Sequence, residues 1–146
     1  MKSCTFFGHR DTPEDVRGKL YTVLDELITK ENVNIFYVGY QGAFDKMVWQ
    51  TLRLLKIDHP HINYYLVLTY PSYAADEFPE EERTVFPGIL ENVPKKFTID
   101  RRNRWMVNNS DYAVCYVKYD FSCSYKYMSL AEKKKKTVIN LAGVLL

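Results

Sequence analysis

The sequence predicts an α/β fold, with a mainly parallel five-stranded sheet between two layers of helices. Three observations predict it. Five short apolar runs, rich in β-branched and aromatic residues, are nearly continuous rather than alternating, as in strands buried on both faces. Stretches with helical periodicity separate them, and a strand–helix alternation returns the chain to a parallel sheet by right-handed crossovers, giving a three-layer, Rossmann-like sandwich. The chain has 146 residues, 47% of them hydrophobic, which suits a single domain over 1–146 with its own core.

The first strand is expected at Cys4–Phe7. The first helix is expected at Pro13–Thr29, with Thr12 as cap, Pro13 in the first turn, and Glu14 and Asp15 at the positive end. Its Val16, Leu20, Val23, Leu24, Leu27 and Ile28 recur at helical spacing. A strand at Ile35–Val38 follows, then a helix at Ala43–Leu55 with Met47, Val48, Thr51, Leu52 and Leu55 on one face. The third strand is Tyr64–Thr69. The acidic, proline-rich stretch at about 71–94 breaks the rhythm and reads as an irregular excursion or lid with at most a short helix. Beyond it come a helix at Asp100–Asn109, a strand at Ala113–Val117, a helix at Ser124–Lys135 and a strand at Thr137–Leu141. No internal repeat is present.

Composition excludes several classes. The net charge is +2, so no strong field favours nucleic acid, which is expected to be an unlikely partner. No apolar run approaches the roughly 20 residues of a membrane span, and charged Arg10, Asp11, Glu14 and Asp15 arrive too early for a signal peptide; a cytoplasmic protein is expected. Cys4, Cys115 and Cys123 suggest neither a disulfide framework nor a zinc site. His59 and His61 flank Pro60 without a carboxylate or cysteine at ligand spacing, so no metal is expected. The run Lys133–Lys136 reads as a solvated helix end.

In such a sheet, ligands bind beyond the carboxyl ends of the strands. The first strand is followed by Gly8, His9 and Arg10; glycine permits close backbone approach, and arginine beside a helix start favours an anion such as phosphate. The second is followed by "GYQGAFD", in which Gly39 and Gly42 open a helix and Asp45 either faces a hydroxyl or caps it. Tyr70, Pro71, Ser72 and Tyr73 border the third strand end. In "IDRRNRWMVNN", Arg101 and Arg104 or Trp105 share one side and Arg102 and Met106 another, so one face buries while another projects cations over the cleft or forms surface salt bridges. After the fourth strand no glycine occurs between Gly88 and Gly143, but Ser122 and Ser124 carry hydroxyls. No nucleophile–base pair stands out, Cys123 and His9 being the nearest. Trp49 reads as core packing.

Taken in order, "TFFGHR", "GYQGAFD", "HPHINYYLVLTY", "RRNRWMVNNSDYAVCYV" and "AEKKKKTVINL" resemble the YpsA-like branch of the SLOG superfamily over nearly the whole chain. That superfamily also holds the Lonely guy phosphoribohydrolases and the Rossmann domain of DNA-processing protein A. The resemblance implies a pocket for a nucleotide or nucleotide-derived ligand, with Gly8, His9, Arg10, Gly39, Gly42, Asp45, Arg102 and Asn103 at motif positions. Where the branch carries Gly-Gly-Ala-Tyr-Lys, this chain reads Ser122-Cys123-Ser124-Tyr125-Lys126. The catalytic glutamate of the phosphoribohydrolases falls at Met128 or Ser129, neither of which is a general acid or base.

The expectation is therefore a sensor or sequestering module for a nucleotide or ADP-ribose-like ligand, with enzyme activity disfavoured but left open and no other cofactor implied. Gly8, Arg10, Gly39, Gly42 and Arg102 would hold phosphates, His9 and Asp45 would reach ribose or base, and Ser122 and Ser124 would add hydroxyls. Tyrosine and tryptophan side chains are candidates for stacking on the base. Two alternatives stand beside it. One is a nucleotide N-glycosidase-like hydrolase with a rearranged site, using Glu132 or Glu77. The other is a ligand-free interaction module, its tyrosines marking a homodimer or partner face.

Overall fold

A computed structural model describes residues 2–70 and 83–143. The strands are β1 (Lys2–Gly8), β2 (Val33–Val38), β3 (Asn63–Val67), β4 (Arg83–Val85), β5 (Tyr112–Tyr116) and β6 (Thr137–Asn140). The helices are α1 (Val16–Lys30), α2 (Gly42–Asp58), α3 (Thr98–Asn108) and α4 (Cys123–Lys133), with short 3₁₀ turns at Gly88–Leu90 and Lys95–Phe97. All strand pairs are parallel, in the order β4-β3-β2-β1-β5-β6. The sheet thus has six strands, not five. The extra one lies in the stretch expected to be irregular: Arg83, Thr84 and Val85 pair with Tyr65, Leu66 and Val67 at the sheet edge. Three residues are too few to show a period in sequence. Residues 71–82 of that excursion, Glu77 included, lie outside the described residues.

The order explains the continuous apolar runs. β1 is central, and Ser3 to Phe7 are buried on both faces. Cys4 and Phe6 join α1 and α2 in one core, and Phe7 joins α3 and α4 in the other. The chain builds outward from β1 to β3 and β4, then crosses to β5 and β6 on the other side. The strand order therefore reverses between β1 and β5, where a parallel sheet opens a crevice at its carboxyl edge.

The α1 start differs from expectation. The helix begins at Val16 with Asp15 at its cap and no side-chain capping bond. Thr12 instead donates its hydroxyl to the His9 carbonyl at 2.6 Å, and its amide donates to the same oxygen at 3.3 Å. Closing that loop occupies the cap residue and leaves Pro13 and Glu14 in a turn ahead of the helix, Val16 and Arg17 donating to their carbonyls. The other helix and strand bounds move by up to three residues. Trp49 is half-buried against the α1–α2 core, with the Arg53 guanidinium 4.8 Å from its ring centroid.

Candidate functional site

A cavity of about 470 Å³ opens at the β1–β5 reversal, within the roughly 300–1,000 Å³ of small-molecule sites. It brings together Gly8, His9 and Arg10 after β1, Gln41 and Asp45 at the start of α2, Arg102, Asn103 and Met106 on α3, and Ser122, Cys123, Ser124 and Tyr127 on α4. Of the residues expected to bind ligand, Gly8, His9, Arg10, Asp45, Arg102, Asn103, Ser122 and Ser124 line it. Gly39 and Gly42 do not.

The glycines serve packing around the cavity. A Cβ on Gly8 would stand 2.3 Å from the ring of Phe44, so what approaches this backbone is an α2 side chain. Gly42 has φ +85° and would put a Cβ 2.7 Å from the Arg10 Cα; the Ala43 amide donates to the Arg10 carbonyl at 2.9 Å. These contacts join the β1 and β2 loops, and they need both the absent side chain and the left-handed conformation. At Gly39 a Cβ would meet an Asp45 carboxylate oxygen at 2.7 Å, so the space is given to Asp45. Gly8 thus lines the cavity with its backbone against Phe44, while Gly39 and Gly42 stand outside the lining.

Arg102 is the central cation. It is only 2% exposed and sits on the burying face of α3 with Asn103, Met106 and Val107. Arg102 thus shares the burying side with Met106, as the helical spacing has it, while Arg101 and Arg104 are exposed. Its Nε donates to Asn103 Oδ1 at 3.1 Å, its Nη1 to the Val67 carbonyl at 3.4 Å, and its guanidinium lies 5.5 Å from the Tyr40 ring centroid. Burial lowers the pKa of Arg102, while the nearby Asp45, Tyr40 and Tyr127 oppose that shift.

Asp45 accepts the Gln41 amide at 2.9 Å through Oδ2, at the start of α2, and lines the cavity. Desolvation raises its carboxyl to about 6, against the lowering effects of the Gln41 amide, Arg102 and Arg10. Arg10 is exposed at the rim. Asp45 and Arg102 act on each other at a distance, without an ion pair.

His9 and Ser122 hold the architecture as well as the wall. The Lys118 amide donates to His9 Nε2 at 2.9 Å, so His9 is neutral with its proton on Nδ1. Burial lowers its pKa, Asp11 opposes, and Lys118 lowers it further. Ser122 Oγ accepts the Tyr125 amide at 3.2 Å as the α4 cap and lies 2.9 Å from the Tyr119 carbonyl, to which it donates. Ser122 is thus occupied by its own loop, whereas Ser124 makes no side-chain bond among the described residues. The helix starts that face the cavity belong to α2 and α4, not α1.

Sequence reasoning missed Tyr127 and Asp100. The Tyr127 hydroxyl donates to Asp100 at 2.7 Å, and Lys126 and Arg104 pair with the same carboxylate at 3.0 Å, joining α3 to α4 beside the cavity. Desolvation alone would raise the Asp100 pKa, but its bonds from Tyr127, Lys126 and Arg104 take it down to about 2. Desolvation and the Asp100 bond push Tyr127 up to about 12. The i,i+4 spacing of Asp100 and Arg104 was the available signal. Met128 is buried, and Glu132 is exposed and away from the cavity. His59 pairs with Asp25 at 3.0 Å, tying the ends of α1 and α2. No cluster of metal-ligating side chains occurs among the described residues, and no helix is long and apolar enough to cross a membrane.

Two solved structures match this architecture. DNA processing protein A (DprA) from Streptococcus pneumoniae aligns with a TM-score of 0.66 at 15% identity, over 94% of this chain and 49% of the other. DprA from Helicobacter pylori aligns with a TM-score of 0.59 at 15% identity, over 94% and 63%. The fold is similar to that of DNA processing protein A. At this identity the likeness shows the Rossmann-like fold and does not single out the YpsA-like branch. The chain spans about half to under two thirds of these neighbours. No protein-family model and no curated protein matches it. The Helicobacter neighbour is described by its single-stranded DNA binding mode, which overturns the expectation that charge alone makes nucleic acid an unlikely partner. A modest net charge says nothing about a local cationic site such as Arg10 and Arg102.

Proposed function

We propose that this chain is a cytoplasmic, YpsA-like protein whose cavity binds a nucleotide or ADP-ribose-like ligand, as a sensor or sequestering module. The observation that carries the reading is Arg102. Arg102 is 2% exposed and lines the strand-end cavity, and a guanidinium held there suits a phosphate. Arg10 at the rim adds a second cation, Asp45 offers an oxygen to a ribose hydroxyl, and the α4 amides face the same space.

The test is thermal unfolding of the full chain with mononucleotides, ADP-ribose, cyclic nucleotides and a single-stranded oligonucleotide. Binding to the folded chain at about a hundred times Kd adds roughly 2.7 kcal/mol. A nucleotide-dependent rise in Tm, lost in Arg102→Met and weakened in Arg10→Ala, supports the reading. A rise with the oligonucleotide alone replaces it with nucleic-acid binding, and no rise with any probe overturns it.

Asp45 favours one second reading, a hydrolase of the nucleotide glycosidic bond. Among the described residues it is the only carboxyl lining the cavity, and one poised near 6 suits proton transfer. Release of free base from a bound nucleotide, abolished in Asp45→Asn, would establish it.

A further inference from the structure

Beside the cavity stands a row of rings that neither the packing nor the proposed phosphate contacts use. His9, in the cavity wall, lies 5.7 Å from Tyr119 with planes tilted by 33°. Tyr119 stacks on Phe121 at 5.2 Å and 24°. Exposure rises along the row: Tyr119 is 39% exposed and Phe121 is 83% exposed. Phe121 immediately precedes Ser122, which again lines the cavity.

The row is held in place before any ligand arrives. The Lys118 amide is fixed on His9 Nε2, and the Ser122 amide and hydroxyl both donate to the Tyr119 carbonyl. The loop is thus closed on itself at both ends, and its outermost ring presents a bare face. A solvated phenyl face one residue along the chain from the cavity wall has the chemistry of a nucleobase platform: stacking tolerates any base, and a rigid loop loses little freedom on binding. Lys118 and Arg10 complete the cationic surround that an anionic, base-bearing molecule requires.

We infer that Phe121, backed by Tyr119, is the stacking surface for the nucleobase of the ligand, so that the site selects base-bearing phosphates over sugar phosphates. This rests on the proposed nucleotide reading and extends it to a residue and a selectivity. The measurement is the affinity of the full chain for AMP and for ribose 5-phosphate, in wild type, Phe121→Ala and Phe121→Trp. AMP binds more tightly than ribose 5-phosphate in the wild type. Phe121→Ala weakens AMP roughly five- to a hundredfold and leaves ribose 5-phosphate unchanged, while Phe121→Trp retains AMP. Equal loss of both probes in Phe121→Ala, or no loss of either, overturns the platform while leaving the phosphate site standing. Binding of neither probe by the wild type overturns both readings together.

Discussion

Gly8 distinguishes a packed corner from a phosphate cradle, and the two make opposite predictions for one methyl group. In the structure a Cβ at Gly8 falls 2.3 Å from two ring carbons of Phe44 and 2.7 Å from its Cβ, and Phe44 is fully buried at the first turn of α2. The ring cannot rotate clear without moving the helix, so Gly8→Ala is an overpacking substitution costing about 1–3 kcal/mol. In a chain of this size that lowers Tm by roughly 3–10 °C. Phe44→Ala alone costs about 3–5 kcal/mol by leaving a cavity, and in that background the added methyl has room. Gly8→Ala on top of Phe44→Ala then costs close to nothing, a coupling of about 1–3 kcal/mol by urea unfolding of the four chains. Additive costs within about 0.5 kcal/mol refute the contact. Unchanged stability in Gly8→Ala with loss of nucleotide binding also refutes it, and makes Gly8 a ligand contact.

Gly42→Ala combines a left-handed φ of +85° with a 2.7 Å approach to the Arg10 backbone, and destabilises by about 2–4 kcal/mol in the same assay. The Asp45 carboxyl, near 6 in the folded chain against an ordinary 3.8, has a raised pKa, so its contribution is fully present below about pH 4 and is lost as pH rises through 6. Wild type therefore loses on the order of 2 kcal/mol relative to Asp45→Asn between pH 4 and 8, seen as diverging urea midpoints. Asp100 has the opposite sign: held at about 2, it stabilises above about pH 4 and that is lost as pH falls through 2. Asp100→Asn costs about 1–2 kcal/mol at pH 7 and nearly nothing at pH 2, by the same measurement.

The parts of the fold legible in sequence are those where one physical signal dominates. The central strands are buried on both faces, and that burial writes itself as unbroken apolar runs such as Cys4–Phe7 and Ala113–Val117. The α1 and α2 faces were equally readable from period. What failed had a competing demand. Thr12 has the chemistry of a helix cap, but the His9 carbonyl lies within its reach and takes the hydroxyl. β4 exists only as the edge partner of β3, a fact held in the pairing register rather than in three residues of sequence.

The site shows the same division at finer grain. Position beyond the strand ends located Arg10, Asp45 and the serines, because topology alone brings those loops to one crevice. Their roles did not follow from position. A glycine at a strand end is compatible with a phosphate, a neighbouring ring or a carboxylate, and only three-dimensional contact tells Gly8, which faces Phe44, from Gly39, which faces Asp45. Arg102 is the instructive case. Helical spacing put it on the same side as Met106, the side that buries, against the general rule that arginines point outward, and the sequence reading nonetheless counted it among the phosphate contacts. The structure keeps the spacing and breaks the rule. An arginine drawn inside by its period, and held by Asn103 and the Val67 carbonyl at the cavity wall, is where fold and function pull against each other. That conflict points to the cavity more strongly than any motif along the chain.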